Sequence, residues 1–89
     1  MSFREMGLVM NYAPAHWTPA VRLVALLIAD GIMDEHGTCT APVDWLADRT
    51  GQSQEQVAAQ VAELVNEGVL LPYVGDSEYL TWTWLVAPT

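Results

Sequence analysis

The feature that most constrains this chain is a helix with almost no polar surface. Thr18-Pro19 predicts its start, with Thr18 as the N-cap and Pro19 at the first helical position, and Gly31 predicts its end. Arg22 is the only polar side chain between residues 20 and 29. A helix that is apolar all round must be covered on most sides. We therefore expect the preceding segment or a second subunit, as in a homodimer, to cover it.

The size of the chain leaves room for a single domain. It has 89 residues, of which 52% are hydrophobic, and this is enough for a packed core. The longest nearly uncharged apolar stretch, 21–29, is too short to span a membrane. The first residues lack the basic and apolar regions of a signal peptide, so we expect a cytoplasmic protein. The single cysteine, Cys39, excludes an intrachain disulfide.

The charge balance is strongly acidic. Eleven acidic side chains stand against three arginines, which gives a net charge of −8. Such a field repels nucleic acid and anionic membranes and suits a basic protein partner. Acidity also keeps an apolar chain soluble, and composition alone does not separate these two interpretations.

The N-terminal residues carry weaker signals of secondary structure than the rest of the chain. Residues 1–17 form a Met-rich lead that we expect to be irregular, and residues 18–89 form the folded domain. A short strand, or an arm that reaches a partner, is the alternative suggested by the spacing of Leu8, Met10 and Tyr12. Within the domain, residues 38–40 predict a short β segment.

Two further helices are marked by their ends. Pro42 opens the first of them and Gly51 closes it, with an inward face of Val43, Leu46 and Ala47. Ser53 caps the next through the capping-box spacing Ser53-x-x-Gln56, and Gly68 ends it. Its apolar stripe is Val57, Val61, Leu64 and Val65.

The C-terminal part predicts a β-hairpin with strands over 69–74 and 79–86 and a turn over 75–78. Pro72 cannot donate a ladder hydrogen bond, so the first strand should lie at the edge of the sheet. The second strand alternates between two faces, one carrying Leu80, Trp82, Trp84 and Val86 and the other Tyr79, Thr81 and Thr83. Whether Trp82 and Trp84 fill the core or an interface stays open.

Residues 26–70 carry core and turn residues in a distinctive order. An apolar helix ends in Ala-Asp, a loop with Gly and Cys follows, and Pro opens the next helix, which contains Leu-Ala. A turn with Gly and Ser then leads into a helix with Val and Leu, which is followed by Gly-x-Leu. The positions are Ala29, Asp30, Gly37, Cys39, Pro42, Leu46, Ala47, Gly51, Ser53, Val57, Leu64, Gly68 and Leu70. This half of the chain resembles the helix-turn-helix domains of phage and plasmid replication initiators and related bacterial transcription regulators. The resemblance implies an α+β winged helix-turn-helix fold with three helices, a short strand and a C-terminal β-hairpin wing.

The resemblance also implies DNA reading by the third helix in the major groove, with Gln54, Gln56 and Gln60 at the base edges. The sequence departs from this pattern, because no lysine or arginine follows Arg49 and basic side chains supply most of the affinity for DNA. A dimeric, sequence-specific DNA-binding regulator is therefore our alternative hypothesis.

Our leading hypothesis, that the chain binds another protein, depends on Trp45. Trp45 lies off the inward face of its helix and one turn before Arg49, whose side chain can cover the Trp45 ring in a cation–π contact. Tryptophan and arginine are enriched at interface hot spots. We expect a small acidic protein of DNA transactions, in transcription or replication regulation and phage-like, that binds a basic or DNA-handling protein and can mimic the charge of DNA. The expected contact residues are Trp45, Arg49, Glu55, Glu63, Asp76 and Glu78.

No catalytic motif or phosphate-binding loop is present, so we expect neither an enzyme nor a cofactor. The one metal candidate in the sequence is His36-x-x-Cys39 beside Asp34 and Glu35. It lacks the paired ligands of a structural zinc site and the spacing of a calcium loop. No metal site is predicted.

Overall fold

The computed structural model describes residues 3–32, 37–73, 75 and 78–84. Within these ranges the elements are, in order, α1 (Phe3–Tyr12), α2 (Pro19–Asp30), β1 (Thr38–Thr40), α3 (Val43–Thr50), α4 (Gln54–Asn66), β2 (Leu70–Leu71) and β3 (Tyr79–Trp82). The α+β class is confirmed. The prediction of three helices is wrong, because a fourth helix precedes them.

The additional helix, α1, forms where an irregular lead or a short strand was predicted. Its residues Met6 and Val9 lie one turn apart on one face, and Val9 is only 2% exposed. This face packs along α2, which supplies the tertiary contacts that a short helix needs to be stable. A sequence signal was present, since Ser2-x-x-Glu5 has capping-box spacing, but the Met-rich composition obscured it.

α2 is the central helix of the fold. The Thr18 hydroxyl accepts a hydrogen bond from the Val21 amide at 3.2 Å, Pro19 is the first helical residue, and Gly31 follows the last, all as predicted. α2 contacts α1, α3 and α4, and its buried side chains are Val21, Val24, Ala25, Ile28 and Ala29. The chain itself therefore covers most of α2, although Leu23 remains 42% exposed.

The connection between α3 and α4 consists of Gly51, Gln52 and Ser53. Gly51 has a φ of +69°, in the left-handed region that favours glycine, and its amide donates to the Ala47 carbonyl. The Ser53 hydroxyl accepts from the Gln56 amide at 3.1 Å, and the Gln56 side chain accepts from the Ser53 amide at 3.0 Å. The predicted capping box is thus confirmed, and it fixes the first turn of α4.

The three strands form one antiparallel sheet in the order β1-β3-β2. Cys39 of β1 lies opposite Leu80 of β3, and Leu70 of β2 lies opposite Trp82. The predicted short strand at 38–40 and the edge position of the first hairpin strand are both confirmed.

The hairpin strands are shorter than predicted. β2 ends at Leu71 because the next residue, Pro72, has no N–H for the ladder. β3 ends at Trp82 instead of continuing to 86. The predictions for residues 34–36, Asp76 and Val86 concern residues outside the described ranges.

The sheet packs against the helices through the face predicted from the alternation in β3. Leu80 and Trp82 are buried, whereas Tyr79 is exposed. Trp82 therefore belongs to the core, and the partly buried Trp84 packs beside it. From α4 the core receives Val57, Val61 and Leu64, and Val65 is partly buried. No helix in the described ranges could cross a membrane, since the longest, α4, has 13 residues.

Candidate partner-binding surface

Trp45 and Arg49 come together on the outer side of α3. Leu46 and Ala47 face the core and are buried, which turns the neighbouring positions outward. Trp45 is 37% exposed, and the Arg49 guanidinium carbon lies 5.4 Å from the centre of its ring. This distance lies within the range of a cation–π contact. The Asp44 carboxylate also accepts from the Trp45 amide at 2.9 Å, which holds the first turn of α3.

A cleft of about 440 Å³ opens where the starts of α3 and α4 meet the β2–β3 connection. Its described lining residues are Pro42, Val43, Asp44, Gln54, Tyr73, Gly75 and Glu78. The Ala41 amide donates to the Glu78 carbonyl at 3.0 Å, and this bond ties the hairpin to the segment between β1 and α3. Two carboxylates, those of Asp44 and Glu78, therefore line one cleft, and no described lining residue is basic.

Tyr73 lies at the inner side of this cleft. Its hydroxyl donates to the carbonyl oxygen of Ala41, a buried residue. Burial raises the pKa of Tyr73 to about 12, with smaller contributions from the nearby Cys39 and Glu78. The phenol therefore stays protonated at neutral pH and keeps its role as a hydrogen-bond donor.

A second, apolar groove of about 310 Å³ lies between α4 and the segment after β2. It is lined by Val43, Ala58, Val61, Ala62, Val65, Asn66, Pro72 and Tyr73. Val43 and Tyr73 line both hollows, so the acidic cleft and the apolar groove form one continuous surface. We call this surface the cleft–groove surface. The groove was not predicted from the sequence, although Ala58 and Ala62 are small residues one turn apart on α4.

The glutamines predicted to read DNA have different environments. Gln54 is exposed and lines the acidic cleft, whereas the Gln56 side chain is used in the capping box. Gln60 and Gln52 exchange hydrogen bonds through their amide groups, at 2.9 and 2.6 Å. A bidentate contact with adenine needs both the oxygen and the nitrogen of an amide, so Gln60 would have to give up both bonds to make one.

The acidic residues predicted on α4 do not lie together. Glu55 is exposed in the first turn, next to Gln54. Glu63 lies eight residues after Glu55, which is about 12 Å further along the helix axis. Asp76 falls outside the described residues. Among the predicted contact residues that the structure describes, only Glu78 lines the cleft–groove surface. Trp45 and Arg49 lie on α3, the helix that also contributes Asp44 to the cleft.

Glu63 belongs instead to a cluster that was not predicted from the sequence. Its carboxylate, that of Glu67 and a ring nitrogen of His16 all lie within 4.8 Å of one another. His16 Nε2 is 2.6 Å from Glu67 Oε1, and the Trp17 indole N–H donates to Glu67 Oε2 at 2.9 Å. Only the spacing Glu63-x-x-x-Glu67 was visible in the sequence, because His16 comes from the distant α1–α2 connection.

Comparisons of the chain with models of protein families, with curated proteins and with solved structures found no match.

Proposed function

We propose that residues from α2 onward form a winged helix-turn-helix domain, with α1 as an additional N-terminal helix. The order α2, β1, α3, α4, β2, β3 supports this assignment. So does the connection of three residues between α3 and α4, which is typical of a helix-turn-helix. In this assignment α4 is the recognition helix and the β2–β3 connection is the wing.

We propose that the protein acts in DNA transactions through protein–protein contacts, by binding a basic segment of a DNA-handling protein. The observation that carries this proposal is the continuity of the acidic cleft with the apolar groove at Val43 and Tyr73. A partner segment with a lysine or arginine beside an apolar side chain matches such a surface. Trp45 under Arg49 supplies the exposed aromatic residue typical of an interface hot spot.

The charge distribution favours a protein partner over DNA. In a winged helix that reads DNA, α4 and the wing face the phosphates, yet no basic residue follows Arg49. The carboxylates on these elements instead present negative charge where DNA would be bound, as a protein that mimics DNA does. A basic partner gains electrostatic steering from this arrangement.

The partner proposal is tested with two pairs of matched variants. A bound protein is first captured from the native host by the full chain, and its affinity for each purified variant is then measured. Glu78→Lys reverses one charge in the cleft, and Asp30→Lys makes the same charge change on α2. Ala62→Arg fills the groove, and Ala59→Arg adds the same side chain to an exposed position of α4 outside it.

We expect the cleft and groove variants to weaken binding about tenfold or more, about 1.4 kcal/mol. The two control variants should bind like the original chain. Equal weakening by each variant and its control, or no weakening by Glu78→Lys and Ala62→Arg, would place the interface elsewhere.

The alternative hypothesis, a DNA-binding regulator, is tested by a gel-shift titration with random duplex DNA. We expect no binding at physiological salt, where ordinary DNA-binding proteins have nonspecific dissociation constants of about 10⁻⁴ to 10⁻⁶ M. Micromolar, strongly salt-dependent binding would favour the alternative.

A homodimer was predicted because α2 needs cover, and α1 packs along α2 within one chain. Covering α2 therefore does not by itself require a second subunit. We therefore propose a partner of a different sequence as the occupant of the cleft–groove surface.

A further inference from the structure

We propose that His16, Glu63 and Glu67 form a binding site for a divalent transition-metal ion such as Zn²⁺. This inference does not depend on the proposed function. The three side chains offer one nitrogen and two carboxylate oxygens within 4.8 Å of one another. Ligands of a tetrahedral Zn²⁺ at about 2.0–2.2 Å from the metal are about 3.4 Å apart, so small side-chain rotations bring all three into coordination.

The ligands converge from two separate segments of the fold. Glu63 and Glu67 are four residues apart at the end of α4, a spacing that places two side chains on the same helix face. His16 comes from the connection between α1 and α2. The next residue, Trp17, is 3% exposed and packs its ring 5.4 Å from that of Trp84. The backbone that presents His16 is therefore held by the core.

Trp17 also orients one of the ligands. Its indole N–H donates to Glu67 Oε2 at 2.9 Å, while Glu67 Oε1 lies 2.6 Å from His16 Nε2. Donors outside the coordination sphere commonly fix metal-binding carboxylates in this way. One oxygen of Glu67 is thus held by Trp17, and the other is directed to the point where a metal would lie.

The electrostatics of this position favour a cation. Two carboxylates lie one turn apart at the C-terminal end of α4, which is the negative end of the helix dipole. The last turn of α4 contains no basic residue, and the whole chain carries a net charge of −8. Repulsion between the two carboxylates is reduced when a divalent ion lies between them.

The chemistry of the ligands selects the class of ion. An imidazole nitrogen suits Zn²⁺, Co²⁺, Ni²⁺ and Cu²⁺, whereas Mg²⁺ and Ca²⁺ prefer sites made entirely of oxygen. The bound ion would take the place of the direct contact between His16 and Glu67 and join the α1–α2 connection to α4. Its remaining coordination positions would be open to water.

The test is a titration of the full chain, free of any affinity tag, with Zn²⁺ followed by isothermal titration calorimetry. Co²⁺ absorption in the visible range then reports on the ligand geometry. The test variants are His16→Ala and Glu63→Gln, which leave the bond between Trp17 and Glu67 intact. The controls are His36→Ala, which removes the only other histidine, and Glu55→Gln in the first turn of the same helix.

We expect one Zn²⁺ per chain, with affinity reduced tenfold or more in both test variants and unchanged in both controls. Zn²⁺ should also raise the melting temperature of the original chain but not that of His16→Ala. Circular dichroism without metal verifies that each variant is folded. Absence of saturable binding below millimolar Zn²⁺, equal binding by His16→Ala, or loss of binding in His36→Ala would each overturn the proposal.

Discussion

Replacing Tyr73 with phenylalanine removes one hydroxyl group whose hydrogen bond and ionisation both contribute to stability. The hydroxyl donates to the Ala41 carbonyl, and a buried carbonyl left without a donor costs about 1–3 kcal/mol. Tyr73 is only partly buried and faces the cleft, so water can hydrate part of the exposed carbonyl. We therefore expect Tyr73→Phe to lower the free energy of unfolding by about 1–2 kcal/mol near neutral pH.

The stabilising contribution of Tyr73 should fall at alkaline pH. Its pKa in the folded protein is raised to about 12, chiefly by burial, whereas the unfolded chain loses the proton at about pH 10. Between these values the unfolded state binds fewer protons than the folded state, so stability decreases as the pH rises. Two pKa units correspond to at most about 2.7 kcal/mol, and solvent screening at this partly exposed site reduces the effect to roughly 1–2 kcal/mol.

The assay is urea unfolding of both proteins, followed by far-UV circular dichroism from about pH 8 to about pH 11.5. The quantity of interest is the stability of the original chain minus that of Tyr73→Phe. The other tyrosines are present in both proteins, so their contribution cancels. This difference should be largest at pH 8 and should shrink above about pH 10. A difference that stays constant or grows across this range would refute the reasoning.

Three further predictions concern the packing of the fold. Trp17→Ala should lower the free energy of unfolding by about 3–5 kcal/mol because its ring is buried. Trp45→Ala should lower it by only about 1–2 kcal/mol because its ring is partly exposed. Similar losses for the two variants in urea unfolding would contradict this contrast. Ser53→Ala should cost about 1 kcal/mol through loss of the capping box, and an unchanged melting temperature would count against it. Deletion of residues 1–12 should increase self-association in sedimentation equilibrium, because α2 then loses the cover that α1 provides. A deletion variant that remains monomeric would show that α1 is not needed to keep α2 from self-associating.

The ends of α2, α3 and α4 were predictable because short-range signals mark them. Thr18 with Pro19, Gly51, and Ser53 with Gln56 act within four residues of their partners. Such signals can be read from the sequence alone. The cation–π pair of Trp45 and Arg49 was predictable for the same reason, since it depends on helical spacing within α3.

The extent of the sheet was less predictable. The alternation in β3 correctly identified Leu80 and Trp82 as inward-facing residues, because side chains alternate along any strand. The lengths of the strands depend instead on which backbone groups find partners on the neighbouring strand. Leu70 and Leu71 of β2 pair with β3, and Pro72 cannot extend the ladder.

The sequence by itself determined the α+β class, the ends of α2, α3 and α4, the inward face of β3 and the acidic character of the surface. Only the tertiary structure decided that α1 covers α2, that the acidic cleft meets an apolar groove at Tyr73, and that His16 lies beside Glu67. The physical reason is the separation along the chain. Helix caps and the alternation of side chains along a strand depend on residues close together in the sequence. His16 and Glu67, in contrast, meet only after the packing of α2 against α4 has brought distant segments together.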